Sequence, residues 1–323
     1  MLCFLALISL NASAKIWRVN NTGLPADFTT IQAAHDAVTV MAGDTLQIEP
    51  SSVSYNALVS AKKLIILGPG YFLNLNPNQQ ANPTSATMSN LTLNSGSGGT
   101  VISGLKITGT CHISTGNITI SRNNIDGYIY LSRDYSYSNV LISGNYGIGN
   151  IENDGNSGVT LITNVLIVNN HFSRVIFSNQ CSGVIANNIF NSTNAGSNFI
   201  VKNNIFTTDF NQLVFIGSNN TISNNLSAAA NGLPAGNGNQ NAVLMTTVFV
   251  GDAVNSTDGQ WQLKEGSPAK NAGLNGEDCG MYGGSEPYHL SGLPKIPSIY
   301  FLSSPSNSNG NSLPVTISVK TNN

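Results

Sequence analysis

The sequence contains few charged residues. Only 9% of its 323 residues are Asp, Glu, Lys or Arg, and 13 basic against 15 acidic residues leave a formal net charge of −2. A chain with this balance offers no basic surface for nucleic acid and no acidic tail. It is nevertheless 41% hydrophobic, which is too apolar for a disordered chain. We therefore expect a folded protein without a nucleic-acid partner.

Cysteine is also scarce. Of the four cysteines, Cys3 lies in an apolar leader, and Cys111, Cys181 and Cys279 show no C-x-x-C spacing. An odd number of cysteines without that spacing indicates neither a disulfide framework nor a zinc site. We expect these three residues to be small buried side chains.

No apolar run is long enough to predict a membrane span. Residues 2–10, LCFLALISL, form an apolar run that is far shorter than the roughly 20 residues needed to cross a bilayer. NASA follows, with Ala12 and Ala14 in an A-x-A arrangement. We interpret residues 1–14 as a secretory signal peptide cleaved after Ala14, which places the protein outside the cell or at its surface. A buried first strand is the alternative.

A phrase is repeated between residues 117 and 227. In each copy an apolar or β-branched strand runs into Asn and then returns to an apolar residue: ITISRNNI at 118–125, VLISGNYG at 140–147, VLIVNNHF at 165–172, GVIANNIF at 183–190, FIVKNNIF at 199–206 and NTISNNLS at 220–227. The step is roughly 20 residues, which is typical of solenoid repeats. The pattern predicts parallel strands stacked about 4.8 Å apart. One inward aliphatic stack would contain Ile120, Ile142, Ile167, Ile185, Val201 and Ile222.

The aligned asparagines receive a structural interpretation. They are Asn123, Asn145, Asn170, Asn188, Asn204 and Asn225. Asn tolerates the left-handed conformation of a sharp bend, and stacked Asn side chains can form a hydrogen-bonded ladder along the coil axis. We expect both properties at these six positions.

These phrases, with VISGLKIT at 101–108 and KKLIILGPGYF at 62–72, resemble the right-handed parallel β-helix family, the pectin-lyase-like superfold, from about residue 16 to about residue 290. The resemblance implies an all-β protein: a single right-handed parallel β-helix, or solenoid, with an N-terminal capping helix and a C-terminal extension. WQLKEGSPAKNAG is similar to the last coils of secreted bacterial β-helix proteins. A leucine-rich repeat is disfavoured because Ile and Val, not a steady Leu frame, occupy the strands.

We divide the chain into the signal peptide (1–14), a β-helix domain (15–290) and a C-terminal extension or partial β-module (291–323). Apolar residues at helical spacing between Thr29 and Met41 predict a capping helix of about three turns, begun by a capping box of Thr29 and Gln32. Such a helix would cover the open end of the first coil. Residues 280–297 are expected to leave the β-helix, and two strand-like runs follow.

Motifs of the active β-helix enzymes are absent. The resemblance implies that lyases hold calcium with carboxylates on neighbouring coils and use Arg or Lys as base, whereas hydrolases use grouped Asp residues. The sequence has no Asp-Asp, Asn-Thr-Asp or Gly-His-Gly, and no evident set of three carboxylates on adjacent coils. We therefore assign no metal ligand and no cofactor, with Ca²⁺ required only if the protein is a lyase.

Charged residues and tyrosines are concentrated between Arg122 and Arg174. Counting from the aligned asparagines places Asp126 and Arg174 on one face about 10 Å apart, and Arg133 beside Asp154 on adjacent coils. The candidate catalytic residues are Arg133, Asp134, Asp154 and Arg174. The candidate substrate-binding residues are Asp126, Tyr128, Tyr130, Arg133, Glu152 and Asp154. Solvated ion pairs and ordinary strand tyrosines are the alternative interpretation.

The functional prediction is a secreted β-helix protein that binds or processes an extracellular polysaccharide along a lateral face. Tyrosine rings next to charged groups form the kind of surface on which sugar rings stack. Whether the protein is an enzyme stays open, with a polysaccharide lyase or a glycoside hydrolase as the two enzyme classes. The alternative is a noncatalytic structural or adhesion protein of the cell surface. We expect a monomer whose partner is a polysaccharide or the cell surface itself.

Overall fold

The computed structural model describes residues 14–153, 160–208, 214–215, 217–305 and 312–322. The strands and the α-helix follow one another along the chain as β1 (Ile16–Val19), α1 (Ile31–Asp36), β2 (Thr45–Ile48), β3 (Leu58–Ser60), β4 (Ile65–Leu67), β5 (Thr87–Met88), β6 (Leu91–Leu93), β7 (Val101–Ser103), β8 (Lys106–Ile107), β9 (Cys111–Ile113), β10 (Ile118–Ser121), β11 (Asn124–Ile125), β12 (Ile129–Leu131), β13 (Tyr137–Ser143), β14 (Tyr146–Gly147), β15 (Asn150–Asn153), β16 (Ile162–Val168), β17 (His171–Ile176), β18 (Cys181–Ala186), β19 (Ile189–Ala195), β20 (Phe199–Lys202), β21 (Ile205–Phe206), β22 (Val214–Phe215), β23 (Thr221–Ser223), β24 (Leu226–Ser227), β25 (Ser298–Ser303) and β26 (Thr316–Lys320). Short 3₁₀ turns occupy Met245–Thr247, Gly259–Trp261, Leu274–Gly276 and Leu290–Gly292.

The strands build a parallel β-solenoid. Ten of them form sheet A, in the order β1-β2-β4-β7-β10-β13-β16-β18-β20-β23. A second sheet contains two ladders that meet in β17: ladder B (β3-β6-β9-β12-β15) and ladder C (β5-β8-β11-β14). Beyond β17 the sheet continues through β19, from which β21 and β24 extend ladder C and β22 extends ladder B. Every pairing in the solenoid that the structure describes is parallel, whereas β25 and β26 pair antiparallel. The all-β solenoid predicted from the repeat is therefore confirmed.

The inward aliphatic stack has the predicted register. Ile120 pairs with Ile142, Ile142 with Ile167, Ile167 with Ile185, Ile185 with Val201, and Val201 with Ile222. The same row continues toward the N-terminus through Ile102, Ile66 and Leu46, all of them at most 1% exposed. Each such side chain contributes roughly 1.5–3 kcal/mol by leaving water. The stack is thus a continuous core along the coil axis.

The asparagine ladder is present, but the left-handed residue is the one before it. Asn145 illustrates the pattern: its Oδ1 accepts from the Asn123 backbone N–H at 2.9 Å and from Asn123 Nδ2 at 3.2 Å. The same contacts recur down the ladder and extend it to Asn239. Positive φ values belong to Arg122, Gly144, Asn169, Asn187, Asn203 and Asn224. The prediction that the ladder asparagines themselves bend the chain was wrong, because one residue turns the backbone and the next forms the buried hydrogen bonds.

Helix α1 is shorter than predicted and begins one residue later. Thr30, not Thr29, accepts from the Ala33 backbone N–H, and Ala37 is already extended. The expected capping box does not form because Gln32 turns to the neighbouring strand, where its Oε1 accepts from the Val59 backbone N–H at 2.9 Å. Helix α1 therefore contacts the outer strand of ladder B through a side chain. No helix in the described part of the chain is long and apolar enough to cross a membrane.

The chain after β24 does not add further strands to the stack. Residues 228–292 form loops and 3₁₀ turns, with two isolated bridges in the described chain: a parallel one between Leu226 and Gln240 and an antiparallel one between Phe249 and Leu263. They cover a second apolar cluster in which Ile189, Ile205 and Leu226 meet Val248 and Met281. The expectation of last coils here was wrong, and so was the expectation that residues 280–297 leave the solenoid. Apolar side chains at irregular spacing cover the outside of ladder C instead.

One edge of this C-terminal segment is held by aromatic rings. The His171 ring is stacked on Tyr146, with centroids 4.6 Å apart and planes 8° apart, and its other neighbour is Trp261 at 4.5 Å. Burial lowers the pKa of His171 to about 4. The imidazole is therefore a neutral packing element between the solenoid and the returning chain.

The other edge is held by a buried carboxylate. Asp258 is fully buried and accepts hydrogen bonds from Asn76 Nδ2 (2.9 Å), Ser256 Oγ (2.9 Å), the Gly259 N–H (3.1 Å), the Tyr288 hydroxyl (3.0 Å) and the Ser291 N–H (2.7 Å). These donors come from an early loop and from the C-terminal segment. The carboxylate therefore ties two distant parts of the chain together, because a buried charge is stable only when its hydrogen bonds are made.

Candidate functional site

Two outward rows of ladder B bring together four of the predicted residues. In the first row Asn150 pairs with Arg174, and Tyr128 occupies the same level because the residue after it, Ile129, pairs with Ile151. In the second row Tyr130 pairs with both His112 and Glu152. Alternate residues of a strand share one face, and neighbouring strands lie about 4.8 Å apart. Tyr128, Tyr130, Glu152 and Arg174 thus form one patch on three adjacent strands, named here the ladder B face.

The aromatic half of the ladder B face consists of two tyrosines. The ring centroids of Tyr128 and Tyr130 lie 5.5 Å apart with the planes inclined by 43°. Tyr128 is 40% exposed, and Tyr130 is half-buried beside His112. The His112 ring contacts Ser114 Oγ through Nδ1 at 3.3 Å. The two rings together form an apolar surface whose hydroxyl groups are polar.

The charged half consists of one carboxylate and one guanidinium. Glu152 accepts from Asn150 Nδ2 at 3.0 Å, which orients the carboxylate along the strand. Arg174 is exposed and lies one strand away, in register with Asn150. A planar guanidinium can bind a carboxylate or a pair of hydroxyls through two parallel hydrogen bonds. The face therefore carries a stacking surface and a hydrogen-bonding surface side by side.

Asp126 does not belong to this face. It forms an ion pair with Lys106 at 3.5 Å beside ladder C. The predicted level of Asp126 and Arg174 was wrong because the turn between ladders C and B varies in length. Tyr146 pairs with His171 and Asn150 pairs with Arg174. The turn from ladder C to ladder B therefore advances four residues in one coil, from 146 to 150, and three in the next, from 171 to 174. A position counted from the ladder asparagine is therefore displaced by one residue between these two coils.

Two of the catalytic candidates lie in the turn after β12. Arg133 is only 7% exposed, and its backbone carbonyl accepts from Thr160 Oγ1 at 2.5 Å. Asp134 is exposed and accepts from Ser132 Oγ at 2.8 Å. Asp154 lies outside the described residues, so its pairing with Arg133 stays a prediction. Because Arg133 is buried in this turn, we do not include it in the ladder B face.

The donor set of the ladder B face does not fit a calcium site. Calcium takes six to eight oxygen ligands, usually with several carboxylates, at about 2.3–2.6 Å. Glu152 is the only carboxylate that we place on the face, and its neighbours are an amide and a guanidinium. Within the described ranges no group of three or more His, Cys, Asp and Glu residues could hold a metal ion.

A cleft of about 480 Å³ that the sequence did not predict lies on sheet A, a different sheet from that of ladder B. Its floor is the outward face of sheet A, including Val101, Leu141 and Ser121, and its wall is the strand-free segment of residues 286–296. A second cavity, of about 630 Å³, shares Leu67 and Ile296 with it. The sequence did contain a sign of this cleft. Apolar residues such as Val101 and Leu141 occupy outward strand positions, which are ordinarily polar in a sheet that faces water.

No known protein was found to be similar to this chain: no family model, no curated protein and no solved structure matches it.

Proposed function

We propose that the protein is a secreted right-handed parallel β-helix of the pectin-lyase-like type that binds an extracellular polysaccharide on the ladder B face. One observation carries the proposal: the register brings Tyr128, Tyr130, Glu152 and Arg174 into two adjacent outward rows. Sugar rings present C–H faces that stack on tyrosine, and hydroxyl edges that bind carboxylate and guanidinium groups. A site of this kind extends along the solenoid axis, as a polymer does.

Secretion and the capping role of α1 belong to the same proposal. Cleavage after Ala14 leaves Lys15 as the first residue, and Lys15 and Trp17 both donate to Asp44 in the first coil. Helix α1 lies against β3 through Gln32, and Lys62 Nζ donates to the carbonyls of His35 and Val40 around the helix. These bonds cover backbone groups at the open end of the stack, which is what a cap of a monomeric solenoid must do.

Binding without cleavage is the form of the function that the face favours. Hydrolysis of a glycosidic bond uses two carboxyl groups on either side of the bond, and we place only Glu152 on the face. Arg174 would be the base if the protein were a lyase, with Arg133, Asp134 and Asp154 as the remaining candidates. The noncatalytic structural or adhesion role is supported by the continuous aliphatic stack and Asn ladder, which make a stiff rod suited to surface display.

A single panel of substrates tests these alternatives. The mature protein is incubated with acidic and neutral polysaccharides, with and without calcium, while unsaturated products and new reducing ends are followed. Unsaturated products would identify a lyase, and reducing ends alone a hydrolase. Retention in affinity gels without either product is the result we expect. If no polysaccharide of the panel is retained or cleaved, the polysaccharide proposal is wrong and the structural role takes its place.

Variants connect the result to the face. Tyr130→Ala and Arg174→Ala are expected to reduce retention by roughly five- to tenfold each, because an exposed stacking or charge-assisted contact is worth about 1–1.5 kcal/mol. Thr92→Ala is the matched control, since Thr92 pairs with His112 in the same outward row, two strands from Tyr130. Equal retention by all three variants would remove the ladder B face from the proposal.

A further inference from the structure

The cleft on sheet A has a floor of two parallel stripes. One outward row of sheet A is mainly aliphatic, with Val101, Thr119 and Leu141 in register. The next row carries Ser103, Ser121 and Ser143, also in register. Both rows cross the strands and therefore run along the solenoid axis. The floor presents an apolar stripe beside a stripe of hydroxyl groups, repeated about every 4.8 Å.

The three hydroxyls of the second stripe have no hydrogen-bond partner in the part of the chain that the structure describes. Their backbone groups take part in the sheet and the asparagine ladder, as when the Ser121 carbonyl accepts from Asn123 Nδ2 at 2.9 Å. The side chains instead line the cleft. A row of free hydroxyls at the strand spacing is a set of donors and acceptors available to a ligand.

The wall of the cleft is held against sheet A, and the two charged wall residues that line the cleft, Glu286 and Lys295, form an ion pair. Arg122 Nη1 donates to the carbonyls of Leu293 and Asn322 at 2.8 and 2.9 Å, which holds the wall against the sheet. Lys295 Nζ donates to Glu286 at 2.6 Å and holds the pKa of that carboxyl below its usual range. At Gly104, where φ is +77°, an added Cβ would lie 2.5 Å from Pro294 Cγ. Only glycine at this position lets the wall lie so close to the sheet. The cleft is therefore preformed, which lowers the entropy that a ligand loses on binding.

Three classes of ligand can be compared with this floor. An acyl chain would cover the aliphatic stripe but leave the serine hydroxyls buried without partners, which is unfavourable. An extended peptide repeats its side chains on one face every two residues, or about 6.8 Å, and its backbone needs a strand edge that the floor does not offer. An extended chain of neutral sugar rings offers hydroxyls at intervals close to the strand spacing and C–H faces beside them.

We propose that the sheet A cleft is a second binding site, for a neutral, unbranched polysaccharide chain lying along the solenoid axis. From β4 to β16 the floor crosses four strand spacings, or about 19 Å, which gives room for a short run of sugar rings in a single chain. The aliphatic row contacts the C–H faces, and the serine row exchanges hydrogen bonds with the hydroxyl edge. Glu286 and Lys295 pair with each other, and the Arg122 guanidinium is only 7% exposed and donates to backbone carbonyls, so the cleft offers little exposed charge to an acidic polymer. The site is independent of the ladder B face, because it lies on another sheet.

Calorimetric titration with cellohexaose, a linear neutral β-glucan, tests the site in the full-length mature protein. The double variant Ser121→Ala with Ser143→Ala removes two hydroxyls from the floor. Each lost hydrogen bond weakens binding roughly fivefold, so we expect Kd to rise about 25-fold. The matched control is Ser223→Ala, because Ser223 lies in the same row beyond Lys202, outside the cleft. Control and wild-type Kd values should agree.

The ladder B variant Tyr130→Ala separates this site from the proposed function. We expect it to leave the cellohexaose Kd unchanged while it reduces retention of the polysaccharide bound at the ladder B face. The inference is overturned if wild-type protein binds no cellohexaose, if the double variant binds it as tightly as the Ser223→Ala protein, or if Tyr130→Ala abolishes its binding. Dodecanoate, a fatty acid, provides one further test. If it binds the protein, and binds the Ser121→Ala and Ser143→Ala double variant more tightly than the wild type, the cleft is an acyl-chain site and the inference is overturned.

Discussion

Substitution of Asn170 by Ala should destabilise the protein more than any surface change in the repeats. Asn170 is fully buried in the middle of the ladder. Its Nδ2 donates to the carbonyls of Ile142 and Val168, each at 2.9 Å, and to Asn188 Oδ1 at 3.0 Å. Its Oδ1 accepts from the backbone N–H and the Nδ2 of Asn145, both at 2.9 Å. Alanine keeps the backbone and removes all these bonds.

The size of the effect follows from the bonds lost. A hydrogen bond between buried neutral groups contributes about 1 kcal/mol net, and a buried group left without a partner costs roughly 1–3 kcal/mol. Five bonds in a dry environment therefore correspond to a loss of roughly 5 kcal/mol. That is a large part of the 5–15 kcal/mol by which domains are typically stable, as a rough guide. Water entering the space left by the side chain would reduce the loss.

Denaturant unfolding followed by circular dichroism measures the effect. Asn164→Gly is the matched control: Asn164 has φ of 54°, is exposed, and donates to Asn139 Oδ1 in a second asparagine row on the surface. Glycine tolerates that backbone conformation, so the control should change the unfolding free energy by less than about 1 kcal/mol. An Asn170→Ala protein within about 1 kcal/mol of the wild type would refute the view that the buried ladder stabilises the coils.

Three further predictions concern buried groups. Because burial lowers the pKa of His171 to about 4 from an ordinary 6.5, the folded protein binds fewer protons than the unfolded chain between these values, so stability is full above pH 6.5 and falls by roughly 3 kcal/mol as the pH drops to about 4. Unfolding curves across this range should show a smaller decline in His171→Phe, and an unchanged decline would contradict the assignment. Burial raises the pKa of Cys111, Cys181 and Cys279 to about 12, so a thiol reagent should label them only after denaturation, and rapid labelling of the native protein would be the contrary result. Asp258→Asn replaces one carboxylate oxygen by an amide N–H₂ that faces at least two of the present donors, and thermal unfolding should show a loss of roughly 2–4 kcal/mol, whereas wild-type stability would mean that the buried carboxylate does not tie the C-terminal segment down.

The solenoid could be predicted because its repeats are local. A strand that alternates inward and outward residues and ends at a fixed Asn specifies both the stack of Ile120 on Ile142 and the ladder of Asn123 on Asn145. The residue that bends the chain could not be assigned by the same pattern. Arg122, Gly144 and Asn169 share that position with different side chains, and the constraint is a positive φ, not a residue type.

The site could be predicted only in part because it depends on contacts between distant residues. Tyr130 and Glu152 were both named as substrate-binding candidates, but only the pairing of their strands sets them side by side in one outward row. Arg174 was assigned to the wrong level because a turn one residue shorter shifts its register. The cleft on sheet A was missed because its wall, near Lys295, reaches the sheet through a contact between Arg122 and Leu293, which are 171 residues apart in the sequence.

Affinity electrophoresis of the wild type beside Tyr130→Ala and Thr92→Ala, in gels that contain each polysaccharide of the panel, tests the central claim most directly. The account predicts that at least one polysaccharide retards the wild-type protein and the Thr92→Ala control equally, while Tyr130→Ala migrates markedly faster. Equal migration of all three proteins in every gel would contradict it.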